Sequence, residues 1–319
     1  MMARILVTGA TGFVGTHVCR VLAAAGDEPV AAVRKPAAFL PIEQRVCGDL
    51  ADAPALAERL ADIDAVVHLA GRAHVMRERA ADPERAFARA NVAATTHVAR
   101  SAAAAGVRRL VFVSSIKVNG EASHDAPFRE ADTPAPQDAY GRSKWQAEQR
   151  LRCVAAETGL EVVILRPPLV YGPGVKANFL RLLNLIDRGL PLPLGAIDNR
   201  RSLISLDNLG ALIQAALFHP NAAGEVFLAS DQQDLSTPQL IRLLAAGLGR
   251  QPRLLAVPPR LLAAAARLLR REDAYSRVAG TLQVDSGRAT AVLGWRPTTS
   301  PTHALRRTAA WYRDSDART

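Results

Sequence analysis

A tyrosine and a lysine stand four residues apart in "AYGRSK", at Tyr140 and Lys144. On a helix that spacing puts both side chains on one face. A phenol with a pKa of about 10 is a poor proton carrier at neutral pH. An ammonium one turn away favours the phenolate and brings the group nearer its working range. The same ammonium can bond a ribose hydroxyl. A third group comes from "VFVSSIKVNG", Val111 to Gly120, where a strand-like apolar run ends in Ser114 and Ser115. A hydroxyl at such a strand end can hydrogen-bond a carbonyl beside the tyrosine. The chemistry these three suit is proton transfer at an alcohol or ketone. Lys117, two residues on, has two readings: a cation beside the bound substrate, or a lysine reaching to water.

Such groups need a frame, and "TGATGFVG" begins it. Gly9, Gly12 and Gly15 lie between a first strand and its helix. The first glycine permits a tight turn, the second lets backbone approach a pyrophosphate, and the third allows close helix–strand packing. The helix N-terminus then offers free N–H groups to phosphate. The cofactor set at this turn is Gly9, Thr11, Gly12, Phe13, Val14 and Gly15. The second strand, "PVAAVRK", ends in Val33-Arg34-Lys35, without the carboxylate that a free ribose 2′-hydroxyl wants. Two cations there suit a 2′-phosphate, which favours NADP(H) over NAD(H), with Arg34 as the contact. Alternatively Arg34 stacks on the adenine or points to water. "CGDL" adds Asp49, an acceptor for the adenine amino group, and Leu50.

The rest of the chain alternates. "ALAERLADI" (55–63) reads as a helix, "DAVVHLAG" as a strand, and "NVAATTHVARSAAAAGV" (91–107) as a long helix. "RRLVFVSS" is a strand, "YGRSKWQAEQRLRCVAAETG" a helix ending at Gly159, and "EVVILRPP" another strand. Near-continuous apolar strands between helices predict a parallel sheet covered on both faces. With right-handed crossovers the class is α/β, a doubly wound Rossmann sheet whose ligand crevice opens at the carboxyl ends of its strands. After about Tyr171 the pattern loosens into loop- and proline-rich stretches, which predict a smaller, mostly helical C-terminal substrate lobe. The expected division is 1–172 for the dinucleotide-binding domain, with part of 197–230 returning to it, and 173–319 for a discontinuous substrate-binding lobe.

Bulk composition narrows the classes. The 319 residues carry a formal net charge of +10, but the arginines are scattered through alanine-rich helical stretches. No basic cluster interleaves with aromatics, which argues against nucleic acid as a partner; a modest positive field suits a small phosphorylated substrate. Cys19, Cys47 and Cys153 lie far apart, so neither a disulfide framework nor a metal site is expected, and a cytoplasmic location is the simplest. No apolar run approaches the ~20 residues of a bilayer span. "RLLAAAARLLRR" (260–271) is basic and amphipathic; the plainer of its readings is a helix packing its leucines on the smaller lobe, the other a surface helix on a membrane.

Taken in order, "TGATGFVG", "GDL", "HLAG", Asn91, "SSIKVNG", "YGRSK", "RPPLVYGPG", "NRRSLISLDNL" and "LGWRP" resemble the extended short-chain dehydrogenase/reductases of the sugar-nucleotide epimerase/dehydratase branch. The resemblance runs over nearly the whole chain. It implies a catalytic triad of Ser115, Tyr140 and Lys144, with Asn91 buttressing the site. Leu69, Ala70 and Gly71 would line the cofactor, joined by Ser114 and Pro167, with Pro168 beside the nicotinamide. Asn178 and Arg201 match positions that contact the nucleotide diphosphate in relatives, Arg277 is a weaker match for a further such arginine, and Lys117 and Asn119 fall on the pocket side. Homodimers are common in the family, and one is expected here.

Two departures bear on the reaction. Dehydratases of the branch carry an Asp-Glu pair where this chain has Ile116 and Lys117, and isoleucine exchanges no proton, so dehydration is not expected. Asn119 replaces the tyrosine of the usual Val-Tyr-Gly. The expected activity is NAD(P)H-dependent reduction of the C4 keto group of a nucleotide-activated sugar. The stretches around Ser115 and Pro168 are similar to 4-reductases that form UDP-N-acetylquinovosamine for bacterial O-antigen. The alternative is a UDP-hexose or UDP-N-acetylhexosamine 4-epimerase that keeps NAD bound. A non-catalytic nucleotide sensor on the same fold would have no need to retain all three of Ser115, Tyr140 and Lys144.

Overall fold

The structure, a computed structural model, describes residues 2–73 and 82–315. Strand β1 (Arg4–Thr8) buries Ile5 and Val7 toward one side of its sheet and Leu6 toward the other. Its unbroken apolar run follows from that double burial. Helix α1 (Phe13–Ala24) leads to β2 (Glu28–Val33) and the short β3 (Gln44–Val46). The helix expected over 55–63 forms only a single 3₁₀ turn at Glu58–Leu60. Ala55 just before it takes a left-handed φ of 52°, and the irregular path still buries Leu56, Leu60 and Ile63 against the sheet.

Strand β4 (Ala65–His68) follows, then α2 (Pro83–Phe87), capped by the Asp82 carboxylate on the Arg85 N–H. The helix expected from Asn91 starts earlier and differently. A π-helical turn, Ala88–Ala93, joins α2 to α3 (Ala94–Ala104) and contains Asn91; such wide turns recur at functional sites. Next come β5 (Arg109–Val113), α4 (Ala139–Thr158) and β6 (Glu161–Arg166). Helix α4 ends as the sequence predicts, with Gly159 at φ 78°, a left-handed cap that glycine adopts without strain.

Beyond β6 the chain forms β7 (Leu169–Tyr171), α5 (Ala177–Asp187), β8 (Leu203–Ser205), α6 (Leu206–Phe218) and β9 (Val226–Leu228). Helices α7 (Thr237–Leu248), α8 (Pro259–Leu268), α9 (Glu272–Ala279), α10 (Gly287–Leu293) and α11 (Pro301–Asp314) complete it. Seven strands form a wholly parallel sheet in the order β3-β2-β1-β4-β5-β6-β9, and β7 and β8 form a separate parallel pair. The α/β doubly wound class is therefore correct.

One face of the sheet packs on residues of α1 and α6, with Ala289, Leu293 and Trp295 from the α10 region joining them. The other face packs on α3 and α4. A separate apolar cluster ties α5, α7 and α11 to β7 and β8 through Tyr171, Phe179, Leu244 and Leu305. The basic amphipathic stretch departs from its plainer reading. Helix α8 buries none of its residues, and Leu261 and Leu268 are 62% and 85% exposed; it packs on α9, not on the lobe's apolar cluster. No helix among the described residues is long and apolar enough to cross a membrane.

Candidate active site

The strand order reverses at β1, whose neighbours are β2 and β4. A sheet of this kind opens its ligand crevice there, at the carboxyl ends. Gly9, just past β1, has φ 68°, and a Cβ on it would lie 2.8 Å from the backbone nitrogen of Ala70 beyond β4. Gly15 packs even closer: its Cβ would sit 2.1 Å from the Gly9 carbonyl oxygen. The third glycine therefore protects the turn itself more than the helix–strand contact expected of it. The Gly12 N–H closes the turn onto the Gly9 carbonyl at 2.9 Å. No side chain caps α1, so its first-turn N–H groups can meet an anion. This side-chain-free cradle fits the pyrophosphate of a dinucleotide. Thr11 is exposed at its tip, Phe13 packs against the lobe's cluster and Val14 against the sheet core.

A buried relay fixes the facing strand. Thr8 Oγ1 lies 2.7 Å from His68 Nδ1, and His68 Nε2 lies 2.9 Å from Thr95 Oγ1. The Thr8 hydroxyl also accepts the N–H groups of Leu69 and Ala70, each at 3.1 Å. Full burial, helped by the Lys144 charge, lowers the His68 pKa to about 3 and keeps the ring neutral. Asn91 holds the next two residues. Its Oδ1 accepts the Arg72 N–H at 2.7 Å, and its amide donates to the Arg72 carbonyl at 3.1 Å and to Ser143 Oγ at 2.8 Å. A Cβ on Gly71 would meet Asn91 Oδ1 at 2.9 Å and Lys144 Nζ at 3.6 Å. Leu69, Ala70 and Gly71 thus run between the glycine turn and the lysine.

Ser115, Tyr140 and Lys144 meet at the end of β5. Ser115 follows that strand, and its hydroxyl lies close enough to the Tyr140 phenol to favour the ionised form. Burial pushes the phenol up to about 12, against the downward pull of that hydroxyl, with Asp138 adding to the rise. Lys144 donates to the Val113 carbonyl at 2.9 Å and sits over the Phe112 ring, 4.5 Å from its centroid. Burial lowers its ammonium to about 8, while Glu148 raises it. The phenol thus lies above its ordinary value, not nearer working range as the Tyr140–Lys144 spacing predicts, because burial outweighs the groups that favour its ionised form.

Helix α4 presents both groups because its first turn is pinned. Asp138 Oδ1 accepts the Gly141 N–H at 2.7 Å. Gly141 has no side chain to spare: a Cβ would lie 2.9 Å from the Lys117 carbonyl oxygen. Lys117 itself bonds Asp138 Oδ2 at 2.6 Å and Glu121 Oε1 at 2.8 Å. Neither sequence reading of Lys117, substrate contact or solvent, matches this double ion pair.

Two more expected ligand contacts turn inward. Ser114 donates its hydroxyl to Glu148 Oε1 at 2.5 Å, and Asn119 is buried with its oxygen on Arg166 Nη1 at 3.0 Å and its amide on the Arg129 carbonyl at 3.0 Å. Their polar atoms are taken by protein, because the buried Glu148–Arg166 pair behind the strand ends needs partners for its remaining valences. Sequence reading missed both of that pair. The signal available was a glutamate four residues after Lys144, on the same helix face.

At the far end of the crevice Arg34 is exposed just beyond β2. Asp49 accepts the Ala51 N–H at 3.1 Å and pairs with Arg89 at 2.9 Å. Those contacts, with the Arg34 charge, hold its carboxyl below the ordinary range, and Leu50 is half-buried beside it. Pro167 and Pro168 are buried after β6, the Pro167 carbonyl accepting the Ile116 N–H at 2.9 Å. In the lobe Asn178 is exposed on the first turn of α5. Arg201 donates to the Gly280 carbonyl at 2.9 Å, and burial lowers its pKa. Arg277 is exposed on α9, three residues before Gly280.

The profile of the NAD dependent epimerase/dehydratase family matches residues 5–229. A protein of Vibrio cholerae named UDP-glucose 4-epimerase is 41% identical over 97% of this chain and 95% of its own length. N-acetyl-alpha-D-glucosaminyl-diphospho-ditrans,octacis-undecaprenol 4-epimerase of Escherichia coli O157:H7 is 30% identical, covering 79% of this chain and 74% of its own. Among solved structures, MoeE5 in complex with UDP-glucuronic acid and NAD superposes with a TM-score of 0.79 at 26% identity, covering 98% of this chain and 99% of its own. With the glycine cradle, the Ser-Tyr-Lys cluster and these likenesses together, the chain belongs to the NAD dependent epimerase/dehydratase family of extended short-chain dehydrogenases/reductases.

Proposed function

We propose that this protein is a 4-epimerase of a UDP-linked hexose or N-acetylhexosamine that keeps NAD bound through its cycle. The observation that carries the reading is the 41% identity, over 97% of the chain, to a protein named UDP-glucose 4-epimerase. The 4-keto reduction expected from the sequence rested on Arg34-Lys35, a missing acid, and the likeness of the stretches around Ser115 and Pro168 to 4-reductases. The relatives favour epimerisation instead, and MoeE5 binds NAD. Arg34 with the Asp49–Arg89 pair beside it is an edge that suits an adenosine without needing a 2′-phosphate.

Bound NAD supplies the acceptor and then the donor of hydride at C4; the chain does the rest. Gly9, Gly12 and the open first turn of α1 would hold its pyrophosphate, and Leu69 to Gly71 its flank. Tyr140 takes the C4 hydroxyl proton as the carbonyl forms, and Ser115 hydrogen-bonds that oxygen. Lys144 keeps positive charge beside the phenolate, which lowers the cost of the proton's removal. After the keto-sugar presents its other face, Tyr140 returns the proton. Residues 1–172, with α6 and β9 returning to their sheet, serve the dinucleotide and the rest of 173–319 the sugar nucleotide, with Arg201 and Asn178 on the diphosphate side.

The test is direct. Protein purified without added cofactor should carry stoichiometric NAD and interconvert UDP-glucose and UDP-galactose, or their N-acetyl forms, by NMR. An empty protein that instead consumes NADPH with a UDP-4-keto-6-deoxy-sugar would replace this reading with the reductase.

A further inference from the structure

We propose that Lys117 is a positioning residue for the Tyr140 phenol, locking the Ser115 turn to the first turn of α4 and neutralising the carboxylates beside it. The inference rests on the proposed role of Tyr140 and deepens it.

The contacts form a closed loop. The Lys117 N–H donates to Ser115 Oγ at 3.2 Å, so backbone and side chain of one residue grip both sides of the site. Its ammonium takes Asp138 Oδ2 at 2.6 Å and Glu121 Oε1 at 2.8 Å, at a side chain only 29% exposed. Asp138 in turn caps α4 through Gly141, and Tyr140 sits between the two in sequence. Turn and helix are packed backbone to backbone there: a Cβ on Gly141 would lie 2.9 Å from the Lys117 carbonyl oxygen.

Charge makes this more than a brace. Asp138 opposes ionisation of the phenol, and an ammonium bonded to Asp138 offsets it. Among the described residues, the other charges on and around α4 have partners elsewhere. Lys144 is bonded to the Val113 carbonyl, and Arg142 on α4 pairs with Glu84 of α2. Arg72 lies over the Phe87 ring, which itself packs on Tyr140. Glu148 is held by Arg166 behind the strand. Lys117 is bonded directly to both Asp138 and Glu121, so removing it takes a positive charge away from each.

The experiment is the pH dependence of kcat and KM in the protein with its bound cofactor. Lys117→Met should raise the acid limb of kcat by about one pH unit, lowering kcat at the foot of that limb about tenfold with KM within about twofold. Lys117→Arg should restore the wild-type limb. Asp138→Asn, which still caps the helix, should move the limb down alone and bring it back in the Lys117→Met background. A rise in KM with the limb unmoved makes Lys117 a substrate contact and overturns the proposal. An unmoved limb with unchanged KM overturns it equally. If Lys117→Met does not fold, Asp138→Asn alone decides: a limb that stays put ends the proposal. Tyr140→Phe separates the two failures, since full activity there sinks the proposed reaction itself, whereas an inactive Tyr140→Phe beside an unmoved Lys117→Met limb sinks only this inference.

Discussion

Glu148 accepts two hydrogen bonds from Arg166, at 3.0 and 2.6 Å, with both side chains all but closed to water. The pair joins α4 to the end of β6 and draws in Ser114 and Asn119. Breaking such a pair leaves a charge buried without compensation. Glu148→Ala should cost about 3–5 kcal/mol of stability, read from denaturant unfolding. Glu148→Leu with Arg166→Met, which removes both charges, should cost far less. Equal losses in the single and double variants would mean packing, not charge, holds the junction.

Tyr140→Phe keeps the ring against Phe87 and removes the hydroxyl proposed to carry the proton. Its kcat should fall by roughly 10²–10⁴-fold with unfolding unchanged. Steady-state turnover with UDP-glucose is the check, and a loss under tenfold would take Tyr140 out of the chemistry.

Lys144 has its ammonium lowered to about 8 by burial. The charge is present below that value and lost above it. The cofactor-free protein should therefore show weakening NAD affinity and poorer phenol activation as pH rises through about 8. Titration calorimetry from pH 7 to 9 reads the affinity, which in Lys144→Met should be weak and flat with pH.

His68 is neutral in the fold down to about pH 3, against 6.5 as its ordinary value. Between these the unfolded chain binds a proton that the folded chain refuses, so stability is lost as pH falls through that window. The slope from this one group reaches about 1.4 kcal/mol per pH unit. His68→Gln should flatten the acid side of a Tm-against-pH curve, though its Tm at neutral pH is lower because the Thr8 and Thr95 bonds are remade poorly. An unchanged acid slope would mean His68 charges without unfolding the protein.

Gly15→Ala puts a methyl group 2.1 Å from the Gly9 carbonyl oxygen, and backbone must move to admit it. The variant should bind NAD at least tenfold more weakly, a loss of about 1.4 kcal/mol, and melt lower. Gly26→Ala is a contrast for crowding, since nothing lies within 4 Å of its Cβ position; its cost, from a φ of 88°, should fall on stability and spare cofactor binding.

The sequence by itself determined the class of fold and the family. Near-continuous apolar runs alternating with helical stretches bury both faces of a parallel sheet, so the parallel class of the sheet and the end of α4 at Gly159 were legible, but not the order of its strands. The Gly9-Gly12-Gly15 spacing and the Tyr140–Lys144 interval are local patterns, and local geometry already says what they can do. Tertiary structure decided the rest, because it depends on what approaches from elsewhere in the chain. Nothing near Lys117 in sequence shows that Asp138, 21 residues on, takes its charge. Nothing near Ser114 or Asn119 shows that a buried glutamate and arginine claim their polar atoms. The same holds for α8, whose leucines read as core until the lobe is seen to leave them in water. A side chain's type fixes what it can bond; only the packed fold fixes which partner desolvates it first.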